Sequence, residues 1–527
     1  MMDLPEVLGS SNQLSRRRLL AGAGACAALA MTAPLGSRGV LANPVFSKYP
    51  FSLGVASGDP LPDGVVIWTR LAPEPLDGGG MPMQPVSVAW EVAADDKMKT
   101  VMQKGTTIAR PELGHAVHVE VQGLEPGRWY WYRFSSGTES SPIGRTRTAP
   151  ALNAPVDRLR FAFASCQHYE SGYYTAHRHM AGEDLDLVVF LGDYIYESQA
   201  EGGGTRMHNG PEVETLEQYR NRYALYKSDP DLQAAHAAFP WVVTWDDHEV
   251  INDYAGDIDR KYEQARDDFL RRRAAAYQAY YEHMPLRRSA KPSGPNMLLY
   301  RRLAFGGLAE FNLLDTRQYR TVQPCGEYKE YKDAARCPQA LDPSATMLGA
   351  VQERWLLEGL GRSRARWNVL AQQAPMMQRL NPDNGAPLFN MDKWDGYLAA
   401  RKRILDFLAT RRPSNPIVIT GDVHANWVGD LLADFDNPGS AIVGTEFVGT
   451  SISSGGNGTT ALYRWVVDAN PHIKFYNSQR GYVRCTVTPD RWQTDCRVVP
   501  FVTRPGAPIS TRASFVVENG VPGVKSA

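Results

Sequence analysis

Six short apolar runs in this chain stop abruptly at polar or ionisable residues. LRFAFAS (159–165) runs into Cys166-Gln167-His168, and LVVFLG (187–192) into Asp193-Tyr194-Ile195-Tyr196. WVVTW (241–245) meets Asp246-Asp247-His248-Glu249, with Asn252 and Asp253 just beyond. EFNLL (310–314) meets Asp315-Thr316-Arg317, NVLAQ (368–372) meets Gln373, and PIVIT (416–420) is followed by Gly421-Asp422-Val423-His424. Continuous apolar runs of this length read as strands buried on both faces. Amphipathic helical stretches lie between them, such as Lys261 to His283 and Val351 to Leu360. Strands alternating with helices predict a layered α/β domain. In such sheets ligands bind outside the carboxyl ends of the strands, so six strands deliver functional groups to one rim.

A single aspartate after a strand is a turn residue or a helix cap. Several carboxylates gathered at one buried rim are costly unless cations compensate them, so a metal cluster is the economical reading. Asp422 and His424, two apart on an extended segment, share a side, and Asp193 and Tyr196, three apart across a turn, can share one ion. Asp247 and His248 are adjacent, which suits one as ligand and the other facing substrate. Thiolate, phenolate and carboxylate together suit a strongly Lewis-acidic ion such as Fe(III). Tyrosinate is an unusual zinc ligand, and the oxygen-rich positions also accept Ca, Mn or Mg.

Residues 50–150 have a different texture. GVVIWTRL, VSVAWEVA, HAVHVEVQGL and RWYWYRFSS alternate between Gly-, Pro- and Asp-rich turns and predict a small antiparallel β-sandwich without a catalytic cluster. The N-terminus carries Ser15-Arg16-Arg17-Arg18-Leu19-Leu20 before a weakly apolar stretch. Residues 1–42 therefore read as a twin-arginine (Tat) export signal, with a basic Sec signal or a chance basic run as the alternative, and the segment is too short and too weakly apolar to span a bilayer. Lys+Arg and Asp+Glu both number 57, so no global field draws the chain to nucleic acid or anionic membrane. Beyond Cys26 in the signal, two local disulfides are the simplest pairing, Cys325–Cys337 and Cys485–Cys496, the latter across a hairpin turning at Pro489-Asp490. Cys166 is left over. SSGGNGTT (453–460) lacks the lysine and strand–loop–helix order of a P-loop and reads as a loop near the site mouth. Tyr277, Tyr280 and Tyr281 read as helix core, Arg271-Arg272-Arg273 as a solvated face, and His208 and His236 as structural or exposed.

The motifs FSLGVASGDPLPDGVVIWTRL, ASCQ, LGDYIYE, TWDDHEVINDYAGD, LDTRQYR, WDGYLAARKRIL and TGDVHANW occur in order from Phe51 to about Pro500. Over this span, nearly the whole mature chain, the sequence resembles the PhoD-type alkaline phosphatases/phosphodiesterases of the metallophosphoesterase superfamily. The resemblance implies an α/β fold, a four-layer αββα metallophosphatase sandwich over 157–505. A fibronectin- or Ig-like all-β domain over 50–150 precedes it, and 506–527 is a C-terminal tail. It implies one Fe(III) and two Ca(II) ions. Cys166 and Tyr196 match iron ligands, Asp193 the carboxylate bridging iron and calcium, and Asp422 and His424 the metal-binding pair of GDVH. Asp247 takes a further metal-ligand position, with His248 beside it facing the phosphate or leaving group. Arg317 is a candidate for holding a phosphate oxygen or supporting the site, and Asn252 and Gln373 stand behind it. The implied reaction is in-line hydrolysis of small phosphate monoesters or diesters by an enzyme exported by the Tat machinery to the periplasm or medium, scavenging phosphate. No membrane span and no nucleic-acid partner are expected. Two other readings are a diesterase of phospholipase D-like scope and a non-catalytic, metal-stabilised extracellular protein.

Overall fold

Side-chain alternation along the central strands dictates the layering. In Leu187–Leu191, Leu187, Val189 and Leu191 enter one core, while Val188 and Phe190 enter another. Trp367–Ala371 behaves likewise, with Trp367, Val369 and Ala371 sharing the first core and Leu370 facing a third. A strand buried on both faces needs a partner layer on each. The computed structural model describes residues 44–527 apart from 262–263, 328, 384–385 and 462–463; the twin-arginine segment lies outside the described residues.

Two sheets face each other across the shared core. The first runs Lys525–Ser526, Ser510–Glu518, Arg491–Val499, Arg480–Val487, Leu159–Ala164, Leu187–Leu191, Pro240–Thr244, Val55–Leu61, Gly64–Arg70 and Ala116–Gln122. The second runs Arg301–Phe305, Ala309–Leu313, Trp367–Ala371, Pro416–Thr420, Ile442–Val448, Asn426–Leu432 and Ile473–Asn477. The helices Thr175–Ala181, Leu216–Lys227, Pro230–Ala238 and Arg266–His283 cover the outer face of the first sheet with an aromatic-rich core containing Tyr277, Tyr280 and Tyr281. Gly349–Arg362 and Leu398–Arg411 cover the second through Leu356, Leu360, Ile404 and Leu408. The result is the expected αββα sandwich. Within each sheet the strands that carry the rim residues are parallel, so their carboxyl ends meet on one side.

Several expectations need correction. The 50–150 segment is not a free-standing sandwich. Its strands Val55–Leu61, Gly64–Arg70 and Ala116–Gln122 prolong the first catalytic sheet, Val55–Leu61 pairing in parallel with Pro240–Thr244. Only Val101–Ala109, Val86–Ala93, Trp129–Ser136, Glu139–Ser140 and Gly144–Arg147 form a separate leaf, closed onto the first by Val65, Ile67, Val88 and Tyr132. Residues 506–527 are no tail. Ser510–Glu518 pairs with Arg491–Val499 and buries Phe515 and Val517 between the sheets. Cys325 and Cys337 are joined, but Cys485 and Cys496 are both free. Their register explains it: Cys485 sits opposite Thr494 and Cys496 opposite Val483. Same-face diagonal neighbours lie about 7–8 Å apart, beyond disulfide reach, and both thiols pack into the inter-sheet core. Of the arginine triplet only Arg271 is exposed. Arg272 binds Tyr219 and Glu212, and Arg273 binds carbonyls of Pro295 and Gly256.

Candidate active site

Four of the sequence-singled residues, Cys166, Asp193, Asp422 and His424, adopt left-handed backbone conformations, with φ of 58°, 55°, 69° and 53°. Such geometry is costly for non-glycine residues and is stored at functional sites. Here it turns the chain sharply at the strand ends. The glycines before the two aspartates let the strands close up. A Cβ at Gly192, itself at φ 103°, would lie 2.5 Å from Asp246 Cβ, and one at Gly421 would overlap the Ser165 side chain. Gly192→Ala is therefore expected to cost about 2–4 kcal/mol, read as a lowered urea midpoint. Gly202→Ala, at φ 71° with nothing within 4 Å of its Cβ, should cost only about 1 kcal/mol.

One glutamate sets the relation of two rim loops. Glu249, fully buried, accepts the backbone N–H groups of Asp193, Tyr194 and Asp246. Burial lifts its carboxyl to about 7 despite those donors.

On this scaffold the structure assembles two clusters that share one member. Ligand atoms of Cys166, Asp193 and His424 lie within 4.8 Å of one another, and so do those of Asp193, Asp247 and His248. The Tyr196 hydroxyl donates to Asp193 Oδ2 at 2.9 Å and lies 3.2 Å from His424 Nε2. Asp193 Oδ1 is buried without a hydrogen-bond partner. Burial first, then repulsion from neighbouring acidic groups, pushes the Cys166 thiol, the Asp193 carboxyl and the Tyr196 phenol well above their ordinary ranges, with His248 opposing the shift at Asp193. Burial, reinforced by Arg480, presses His424 down to about 3, so its imidazole is neutral. A soft sulfur, a phenol, a shared carboxylate and a neutral imidazole, all desolvated and one oxygen unsatisfied, fit a cation that displaces their protons.

His248 stacks on Tyr196 with ring centroids 4.0 Å apart, and its Nδ1 pairs with Glu197 Oε2 at 2.6 Å. Burial opposes its charge, but Glu197, Asp193 and Asp247 outweigh that and raise its pKa well above the ordinary value. Burial likewise opposes the Glu197 anion, yet His248 and Lys261 bring it down to about 2. Asp247 accepts the Asp253 N–H at 2.6 Å and lies 3.5 Å from Arg317.

Asp422 is in neither of the two three-ligand clusters, but, on top of burial, its charge reaches Cys166 and Asp246 and raises the pKa of both. Its carboxylate pairs with the ammonium of Lys393, which also contacts Asp392 at 2.9 Å. Arg317 is fully buried and touches no open space. It binds Asp246 through Nε and Asp392 through both terminal nitrogens at 2.9 and 3.1 Å. It supports the acids, one of the two roles open to it from sequence. Asn252 donates its backbone N–H to Glu197 at 3.0 Å. Gln373 ties Thr244, Leu314 and Thr316 together in the core and contacts none of the clustered groups. His236 is buried against Tyr194, and His208 against Tyr226 and Ser198. Glu197, Glu249, Lys393 and Asp392 were not singled out from sequence. Glu197 and Glu249 do close the LGDYIYE and DDHE motifs, which was the available signal.

A two-sheet αββα sandwich with such a cluster where both sheets' strands end is the arrangement expected of a metal-dependent phosphoesterase. The family model for PhoD-like phosphatase matches residues 161–496, and that for the PhoD-like phosphatase N-terminal domain matches residues 38–150. A curated relative, alkaline phosphatase D of Bacillus subtilis (strain 168), is 53% identical over 534 residues, covering 99% of this chain and 91% of the relative. The solved structure described as that of PhoD superposes with a TM-score of 0.89 at 55% identity, covering 92% of this chain and 93% of that one. The chain belongs to the PhoD-like phosphatase family and is accordingly a phosphoric ester hydrolase.

Proposed function

We propose that this phosphatase is exported by the twin-arginine route and releases phosphate from small monoesters and diesters outside the cytoplasm. In this reading Fe(III) is held by Cys166, Asp193, Tyr196 and His424, and Ca(II) by the carboxylates Asp193, Asp247 and Asp422. The observation that carries it is Asp193, common to both clusters, with a buried oxygen that no donor satisfies. Bound there, the cations supply the Lewis acidity that stabilises charge on the phosphoryl oxygens. The chain's own groups do the rest. Glu197 fixes the His248 ring through Nδ1, leaving Nε2 to give a proton to the departing ester oxygen. The Tyr196 ring holds His248 from one face. Arg317 and Lys393 pair with Asp246, Asp392 and Asp422 and hold them in place without touching substrate.

No helix among the described residues is long and apolar enough to cross a membrane, and the Cys325–Cys337 disulfide suits an oxidising compartment. The test is elemental analysis of protein purified without chelator, Cys166→Ala beside wild type, with hydrolysis of p-nitrophenyl and bis-p-nitrophenyl phosphate. Iron and both activities are expected in wild type and lost in the variant. Full iron in Cys166→Ala overturns the ligand assignment. The ratio of the two rates sets the monoester or diester preference.

A further inference from the structure

The glycine-rich stretch 453–458 is the wall against which two of the proposed ligands rest. After the strand Ile442–Val448 the chain leaves the second sheet and crosses to the first, where Ser451 bridges to Ser165 and the Ile452 N–H bonds to the Ser165 carbonyl. It is then locked beneath Cys166. Ser453 Oγ donates to the His168 carbonyl at 2.9 Å, Ser451 Oγ to the Ser454 carbonyl at 2.8 Å, and Arg480 binds the carbonyls of Gly456 and His424.

At the centre of this wall is the Ser454 hydroxyl, buried with its residue 1% exposed. It accepts the His168 N–H at 2.9 Å. Its single proton has two acceptors in reach, the Cys166 carbonyl at 2.7 Å and the Tyr196 phenol oxygen at 2.8 Å. The Tyr196 proton is itself directed at Asp193. A tyrosine that ligates a cation has given up that proton, and its oxygen becomes a charged acceptor. Hydrogen bonds to charged acceptors are about twice as strong as neutral ones, so the Ser454 proton then goes to Tyr196 rather than to the carbonyl.

We propose that Ser454 is a positioning residue for the iron site, donating to the Tyr196 phenolate and thereby limiting the electron density that this ligand gives the ion. The inference rests on the iron reading above. A phenolate that shares its charge with a hydroxyl donates less to the metal and leaves it a stronger Lewis acid. Outer partners of metal ligands characteristically tune the metal in this way.

The visible spectrum reads the effect directly, because a phenolate–Fe(III) bond produces a charge-transfer absorption whose energy follows the donor strength of the phenolate. Wild type, Ser454→Ala and Ser454→Thr are compared at matched iron content, with circular dichroism to verify folding. Ser454→Ala is expected to move the absorption to longer wavelength, while Ser454→Thr, which keeps the hydroxyl, holds it at the wild-type position. An absorption unmoved in Ser454→Ala, or moved to shorter wavelength, overturns the proposal. If Ser454→Ala folds but takes no iron, Ser454→Thr must restore both iron and absorption, and failure to do so also overturns it. Iron-loaded wild type without this absorption instead overturns the Tyr196 ligand assignment on which the proposal stands.

Discussion

Arg317→Met is expected to destabilise the fold by about 3–5 kcal/mol at neutral pH and to reduce hydrolysis by at least about 100-fold. The guanidinium is wholly buried among Asp246, Asp247 and Asp392. Removing one partner of a buried ionic network leaves the others charged in a medium that cannot solvate them, and that penalty exceeds what the contacts are worth as a pair. Asp246 loses the one ion-pair partner it has among the described residues; burial already lifts its carboxyl well above the usual range despite Arg317, so it meets the loss by holding a proton. Asp392 retains Arg320 and Lys393. The pH dependence gives a second check. Burial opposes the Asp392 anion, but Arg317, Lys393 and Arg320 hold its carboxyl well below the usual range. The same balance, with Arg317 and His248 as the largest opposing charges, holds Asp247 down. A carboxyl depressed on folding stabilises above its unfolded pKa and loses that contribution as pH falls toward the folded value. The deficit of Arg317→Met should therefore be widest near neutral pH and narrow once pH drops below about 4. Urea midpoints of the two proteins across that range measure it, and equal midpoints at pH 7 would contradict the role assigned to Arg317.

The rim was legible in sequence because each strand carries its chemistry immediately after its apolar run. Cys166, Asp193, Asp247, His248 and His424 needed only the rule that parallel strands end together. Arg317 was legible as a residue but not as a buried one, because Asp392, its bidentate partner, is far along the chain in a segment with no strand signal. Lys393 was missed for the same reason. The disulfide error came from register. Cys485 and Cys496 bracket a hairpin turn at plausible spacing, yet a two-residue offset across the ladder keeps their sulfurs apart. Ser510–Glu518 was misread because its exposed half, Ser510 to Arg512, hides the alternation of Phe515 and Val517. Val55–Leu61, with Gly58, Asp59 and Pro60, looks like a turn. It holds as a strand because it is paired on both sides, by Pro240–Thr244 and Gly64–Arg70.

Lys227→Met is expected to raise stability at pH 7 by about 2–4 kcal/mol, an advantage that disappears by about pH 10.5. Lys227 closes the helix Leu216–Lys227, is 2% exposed, and has no carboxylate at ion-pair distance among the described residues. Its ammonium sits over the Trp68 ring, 4.3 Å from the centroid, with the Tyr194 ring 5.5 Å away. Burial lowers its pKa from 10.5 to about 7. The same charge helps to keep the buried imidazoles of His236 and His283 neutral. For a lysine depressed on folding the sign is the reverse of a paired one. Below pH 7 the fold bears the full cost of an ammonium it cannot solvate, and between 7 and 10.5 the cost falls as the folded protein releases a proton that the unfolded chain still holds. The aromatic faces favour the ammonium by about 1–2 kcal/mol, which is why the expected gain is smaller than burial alone implies. Wild type should thus become more stable from pH 7 to pH 10.5 relative to Lys227→Met, seen as converging unfolding midpoints. Parallel curves would show that the lysine is paired or solvated after all. Tyr194, over which this ammonium is placed, is the residue after Asp193, so the charge lies directly behind a proposed metal ligand. Alkaline solution is also the condition under which a cation most easily displaces the protons of Cys166, Asp193 and Tyr196.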